Sequence, residues 1–290
     1  MYSPRPPQPF NHSYPVYEVM KSLLKSYVLE NILGEGHYGV VYSGRRISDN
    51  KSVAIKFLLS SKTTTDKIPS EITFSERCMD VDGVIEMYEW RQGHYIANGK
   101  SANYVMILER FGTQDLFDYI TVRNERDRPL NVRESFHIFV QLVGIWKNLY
   151  DVGVCHNDLK DENVLISGNK VKLIDFSCAT EKGDPNTFDG TRCYRPPEFV
   201  TKKSFAVEPA DVWAFGILLY DLIMGDIPFE TTREIVAGKL NFYDLDCSES
   251  KRIIRWCLNS TASERPSITA LLTESERVLT KMRTKKTINF

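Results

Sequence analysis

The 290-residue sequence has no apolar run that reaches the length of a bilayer span. The longest, around Val212 to Gly225, is interrupted by Asp221 and falls short of the about 20 residues required. The N-terminus also lacks the apolar core of a signal peptide. Neither charge is in excess: 37 Lys and Arg against 38 Asp and Glu leave a formal net charge of −1, which gives no reason to expect a nucleic acid or other polyanion as partner. The six cysteines (Cys78, Cys155, Cys178, Cys193, Cys247 and Cys257) contain no CxxC pair. A disulfide framework and zinc-finger spacing are therefore not expected, and a cytoplasmic or also nuclear, reducing location is. The sequons at Asn11-His12-Ser13 and Asn259-Ser260-Thr261 are read as chance matches, and no internal repeat is seen. What remains is a soluble globular chain, long enough for one large domain or two lobes.

Residues 1–26 open with Pro4-Arg5-Pro6-Pro7-Gln8-Pro9, which favours extended polyproline conformation and reads as a disordered leader. From Tyr27 to about Leu59 short β-branched and aromatic runs alternate with turn residues, the strand signal: Tyr27-Val28-Leu29, a glycine turn, Val40-Val41-Tyr42, the turn Asp49-Asn50, then Val53-Ala54-Ile55. A helix is expected over 66–79, then strands near 84–91 and 103–109 joined by a polar loop through Gly93 and Gly99. After Asp115 the period changes to that of helices, with Phe136, Val140, Val143 and Trp146 on one face and further helices over 211–224 and 249–258. A strand-rich first third followed by a helix-rich remainder predicts an α+β fold of two lobes with a cleft between them. The end of the chain, 279–290, reads as a basic tail or solvated helix end through Lys281-Met282-Arg283-Thr284-Lys285-Lys286.

Four groups carry chemistry. Gly34-Glu35-Gly36-His37-Tyr38-Gly39-Val40-Val41 fits G-x-G-x-x-G-x-V, in which glycines let backbone N–H groups approach phosphate oxygens. The motif alone is weak, and a plain hairpin turn explains it as well. β-Branched residues follow it rather than a helix, so a strand–turn–strand flap fits better than a dinucleotide fingerprint. Val53-Ala54-Ile55-Lys56 puts a lysine on an apolar strand, facing solvent or a cleft. After a glycine flap it is placed to neutralise phosphate and to pair with a helix carboxylate, Glu71 or, as runner-up, Glu76. His156-Asn157-Asp158-Leu159-Lys160-Asp161-Glu162-Asn163 sets a carboxylate, an ammonium and an amide within six residues, suited to a hydroxyl, a phosphoryl group in transfer and a metal ion. Asp175 ends the strand Val171-Lys172-Leu173-Ile174. Oxygen ligands of this kind suit Mg²⁺.

In this order the groups resemble the protein kinase signature set, H-R-D-L-x-x-x-N included, from about Tyr27 to Val278. The resemblance implies a small β-rich N-lobe over about 27–111 and a larger helical C-lobe over about 112–278. It also implies ATP and Mg²⁺, with Asp158, Lys160 and Lys56 catalytic and Asn163 and Asp175 on the metal. The nucleotide would be held by Leu33, Gly34, Glu35, Gly36, His37, Tyr38, Gly39, Val40, Val41, Ala54, Lys56, Glu71, Glu109, Phe111 and Asp115. Asp158-Leu159-Lys160 and Gly190-Thr191 resemble serine/threonine kinases rather than tyrosine kinases. Gln114-Asp115-Leu116-Phe117-Asp118, Lys160-Asp161-Glu162-Asn163 and Gly225-Asp226-Ile227-Pro228-Phe229-Glu230 are similar to the Pim branch, near the calmodulin-dependent kinases. This implies a monomer acting on protein Ser/Thr acceptors with basic residues upstream, met by Asp115, Asp161, Glu162 and Asp226, each of which reads equally as a solvated surface charge. Pro196-Pro197-Glu198 resembles A-P-E, with Glu198 and Arg265 a buried ion pair, and Asp211 resembles the aspartate that anchors the catalytic-loop backbone.

Three departures matter. Phe111 stands where the Pim hinge has a proline, and so has an N–H to offer adenine. Ser177 replaces the glycine of D-F-G. Asn157 replaces an arginine that can grip a phosphate on the activation segment, where Thr180 and Thr187 are the candidate acceptors. Activity without activation-segment phosphorylation is expected. A catalytically silent scaffold that binds nucleotide or partners is the alternative.

Overall fold

The computed structural model describes residues 13–59, 68–182, 191–243 and 245–284. The chain divides into two units: the residues up to Ile72 with Glu86–Arg110, and Thr73–Ile85 with Phe111 onward. The first is β-rich and the second mainly helical.

The first unit begins with a helix, α1 (Ser13–Ser26), where an unstructured leader was expected. Leu23 explains it: the side chain is fully buried in one core with Tyr27, Val40, Val53 and Phe57, and Met20 packs against the same cluster. Pro15 lies in the helix's first turn, where the missing N–H costs no intrahelical bond. Residues 1–12, with the Pro-rich segment, lie outside the described residues.

Five antiparallel strands follow in the order β1-β2-β3-β5-β4: β1 (Tyr27–Glu35), β2 (Gly39–Arg46), β3 (Ser52–Leu58), β4 (Met87–Ala97) and β5 (Lys100–Glu109). The expected polar loop between the last two is instead strand. Asn98-Gly99, both at positive φ (48° and 75°), makes the two-residue turn that matches strand twist, and the register shifts between Gln92 and Tyr95, around Gly93. Alternation divides the sheet's faces. Val40, Ile55, Phe57, Val105 and Ile107 fill the core, and Val41, Ala54 and Lys56 take the other face.

The helix between β3 and β4, α2 (Ser70–Arg77), is shorter than expected. From Thr73 its residues belong to the second unit, because Phe74, Cys78, Val81 and Val84 bury into that unit's larger core.

The second unit holds β6 (Gln114–Asp115), α3 (Leu116–Glu125), α4 (Val132–Asp151), β7 (Val154–Cys155), β8 (Val164–Ser167), β9 (Lys170–Leu173) and β10 (Thr180–Glu181). Helices α5 (Pro197–Lys202), α6 (Val207–Met224), α7 (Thr232–Ala237), α8 (Ser248–Cys257) and α9 (Ile268–Thr284) complete it. Helix α4 starts in a capping box formed by Asn131 and Glu134. The long apolar run is α6, buried continuously from Ala210 to Leu222 and stopped by Gly225 at φ 76°. Helix α9 carries order past the expected start of the tail, because Leu279 is buried. Residues 285–290 lie outside the described residues. No disulfide joins any of the six cysteines, and among the described residues no helix is long and apolar enough to cross a membrane.

Candidate active site

In the first unit the glycine motif forms the turn between β1 and β2, closed by Gly36 N–H donating to the Gly39 carbonyl at 2.9 Å. Gly39 is required, since a Cβ there would lie 2.8 Å from the Phe57 carbonyl oxygen. Leu33, Gly34 and His37 are exposed around this turn, Tyr38 is half-buried, and the His37 and Tyr38 rings meet edge to face at 5.0 Å. Two expected nucleotide contacts are otherwise engaged. The Val40 side chain is in the core, and the Glu35 carboxylate pairs with Lys100 and accepts from Asn98 at 2.6 Å.

Lys56 on β3 and Glu71 in the first turn of α2 form a buried ion pair, 7% and 4% exposed. Glu71, and not Glu76, is therefore the lysine's carboxylate partner. On the same face as Lys56, register pairs Val41 with Lys56 and Ala54 with Leu108. Leu108 was missed by the sequence reading, although period-two alternation with Glu109 on β5 points to it.

In the second unit the loop from His156 to Asn163 is held from several sides. His156, fully buried and kept neutral by burial, donates from Nε2 to the Ile174 carbonyl at 3.0 Å. Its ring packs between Trp146 at 5.1 Å and Phe176 at 4.9 Å. The Asp158 carboxylate accepts from Asn163 Nδ2 at 2.9 Å on Oδ2, and from both the N–H and hydroxyl of Thr191 at 3.2 Å on Oδ1. Lys160 Nζ stands 3.6 Å from Oδ2. Burial works against that ammonium, but the charges of Asp158, Glu162 and Asp175 outweigh it and raise its pKa.

Asn157 is at φ 64°, a left-handed conformation that asparagine tolerates better than most residues. Its amide nitrogen lies 3.1 Å from the Cys178 carbonyl, 2.9 Å from the Thr180 hydroxyl and 3.3 Å from the Cys155 carbonyl. A neutral amide thus joins the loop directly to the segment after Asp175. Asp175 is also left-handed, at φ 68°, and caps a 3₁₀ turn by accepting from Ser177 N–H at 3.2 Å. Ser177 itself is not at positive φ, so this conformation does not need the glycine it replaces.

Asp211 does not anchor the loop as the resemblance implies. Its hydrogen bonds among the described residues come from α4: Trp146 Nε1 at 2.7 Å and the Tyr150 hydroxyl at 2.6 Å, both to Oδ2. Burial still pushes its carboxyl up to about 6. The link to the loop runs instead through the Trp146 ring on His156.

Of the four acidic positions considered for basic substrates, Glu162 and Asp226 are exposed. Asp115 caps α3 by accepting from Asp118 N–H at 2.8 Å. Asp161 is buried, faces the Tyr194 hydroxyl at 3.4 Å, and is pushed up to about 7 by burial and then by the charge of Asp221. It is a structural carboxyl rather than a surface one.

Asn163 spends both of its described side-chain bonds through nitrogen, on the backbone and side chain of Asp158. Its carbonyl oxygen, with the carboxylate of Asp175, makes an oxygen donor set that fits Mg²⁺. Among the described residues no three His, Cys, Asp or Glu side chains gather to hold a metal on their own. Mg²⁺ is an ion that takes one or two protein oxygens plus substrate phosphates.

Residues 27–275 match the family model described as the protein kinase domain. The chain is 34% identical over 268 residues to the serine/threonine-protein kinase pim-2 of Danio rerio, covering 86% of this chain and 83% of that one. It is 32% identical over 263 residues to the serine/threonine-protein kinase prk-2 of Caenorhabditis elegans, where the match covers 86% of this chain but 57% of that protein. It is 30% identical over 261 residues to the serine/threonine-protein kinase PSK2 of Saccharomyces cerevisiae, over 83% of this chain and 23% of that one.

Proposed function

The chain belongs to the protein kinase family, and we propose that it transfers the γ-phosphoryl group of ATP to serine and threonine hydroxyls of protein substrates. The observation that carries this reading is the clasp around Asp158: a carboxylate aligned by Asn163 and Thr191, with an ammonium 3.6 Å away. In the reaction the acceptor oxygen attacks the γ-phosphorus, the bond to the β–γ bridging oxygen breaks, and ADP leaves. The hydroxyl proton passes to Asp158. Lys160 offsets charge on the moving group, and Lys56, held by Glu71, offsets charge on the nucleotide phosphates. Asn163 and Asp175 would hold Mg²⁺, which supplies further neutralisation of phosphate charge when bound.

Adenine is met by the Phe111 backbone. Its N–H has no hydrogen-bond partner among the described residues. One such bond is worth about 0.5–1.5 kcal/mol, so Phe111→Pro should weaken ATP binding by about two- to tenfold while Phe111→Ala does not. Equal ATP affinity for parent and Phe111→Pro in a nucleotide titration would remove the bond from the account.

Glu162 and Asp226, as exposed carboxylates, support a preference for basic residues upstream of the acceptor. Cysteines that form no disulfide suit a reducing, cytoplasmic setting.

Turnover needs no phosphate on the activation segment. What supports this is the Asn157 amide, which already occupies the Thr180 hydroxyl and holds the segment without charge. The other candidate acceptor, Thr187, lies outside the described residues. Enzyme treated with phosphatase should keep its turnover on a basic serine peptide to within about twofold, the effect expected where no charge-assisted bond is lost. Loss of nearly all activity would sink this reading. The silent-scaffold alternative drew on Ser177 and Asn157, and the geometry at both favours order rather than silence.

A further inference from the structure

We infer that Arg77 and Glu181 form a positioning pair that ties α2 to the start of the activation segment. The inference rests on the reading of this chain as a kinase active without segment phosphorylation, and adds a second, charged tie to it. Arg77 Nη2 meets Glu181 Oε1 at 2.9 Å, and the guanidinium lies 5.9 Å over the ring of Phe74, a core residue. Glu181 sits on β10, which pairs with β7 through Thr180–Cys155 and Glu181–Val154. The next residue donates its N–H to the Gly153 carbonyl at 2.9 Å, and its side chain, Lys182, stands 5.1 Å from the Tyr150 ring. Three consecutive residues are therefore fastened by an amide, an ion pair and a cation–ring contact, none involving a phosphate.

The consequence lies in the helix that carries Arg77. Glu71, the partner of Lys56, is in the first turn of α2, and Arg77 is in its last. Arg77 lies six positions after Glu71 on the same helix, about 9 Å of axial rise. In kinases that need activation, a phosphate on the segment helps set the lysine–glutamate pair. Here a carboxylate encoded in the chain takes part in that task.

The test uses the phosphatase-treated full-length protein and a basic serine peptide. Arg77→Gln should lower kcat about two- to fivefold, and Arg77→Glu somewhat more, with KM for peptide unchanged. Exchanging the pair (Arg77→Glu with Glu181→Arg) should restore kcat to within about twofold, and 0.5 M salt should shrink every difference, as expected of an exposed ion pair. A merely structural role for Arg77 would lower the thermal midpoint in step with kcat, whereas a positioning role lowers kcat alone. Parent-like kcat in both single variants, or an exchanged pair no better than Arg77→Glu, would overturn the inference. If the phosphatase-treated parent is itself inactive, the underlying reading fails instead. Thermal unfolding checks that each variant is folded, and should Arg77→Glu fail that check, Arg77→Gln and Glu181→Gln decide the matter.

Discussion

Asp158→Asn is expected to cut phosphate transfer to a basic serine peptide by about 10²- to 10⁴-fold, the range for losing a positioned general base. The substitution keeps the shape of the side chain but not its role. Asp158 accepts from Asn163 on one oxygen and from two groups of Thr191 on the other, with the Lys160 ammonium near the first. An amide has one accepting end. Turned one way, its NH₂ faces Asn163 and Lys160; turned the other, it faces the N–H and hydroxyl of Thr191. Either orientation sets donor against donor, so the variant loses both the proton acceptor and the alignment of the loop. ATP affinity should stay near that of the parent, because Lys56 and Glu71 are untouched. The effect therefore falls on kcat rather than on KM for ATP. Near-parental turnover by Asp158→Asn would remove Asp158 from the mechanism. No turnover by either protein, with nucleotide still bound, would favour the scaffold.

The parts legible in the sequence are those whose chemistry is local. The loop from His156 to Asn163 brings its reacting groups together within eight residues, so its content is read without knowing the fold. The glycine turn was recognisable as strand–turn–strand because β-branched Val40 and Val41 follow it, and the Val40 side chain is in the core. What was not legible depends on residues distant in the chain. The burial of Leu23 makes α1 a helix, and its partners Val53 and Val105 lie 30 and 82 residues away. Asp161 reads as a surface carboxylate until Tyr194 and Asp221 are seen beside it. Asp211 was placed by its motif, but its donors, Trp146 and Tyr150, come from a helix more than 60 residues earlier. Asn157 is the instructive case. As a departure it signalled only that a charge was missing. Its positive φ and its reach to Cys178 and Thr180 are visible only in the fold.

The second large effect concerns stability. Arg265→Met should destabilise the second unit by about 3–5 kcal/mol, the cost of leaving a buried ion-pair partner alone. The Arg265 side chain is 0% exposed and Glu198 15%, with paired bonds of 2.8 and 2.7 Å between guanidinium and carboxylate. Arg265 also donates to the carbonyls of Pro209 at 2.9 Å and Asn259 at 2.8 Å, and lies over the Trp213 ring at 5.0 Å. Removing the arginine thus strands a carboxylate and takes a donor from two carbonyl oxygens, whereas Glu198→Gln strands part of one guanidinium that keeps its other acceptors. The two losses should be unequal, with Arg265→Met the larger. They should also fail to add. Once Glu198 is replaced by leucine, no carboxylate is left to strand, so Glu198→Leu with Arg265→Met should cost clearly less than the sum of the single changes. Denaturant unfolding followed by a signal from the second unit measures the parent, Glu198→Gln, Glu198→Leu, Arg265→Met and the double variant. Equal single losses that sum in the double variant would mean the pair is not the source of the stability attributed to it. Because Glu198 lies in the first turn of α5, directly after Pro197, the same variants should also lose turnover in proportion to the fraction unfolded, and no further, if the pair holds the segment's end without touching the chemistry.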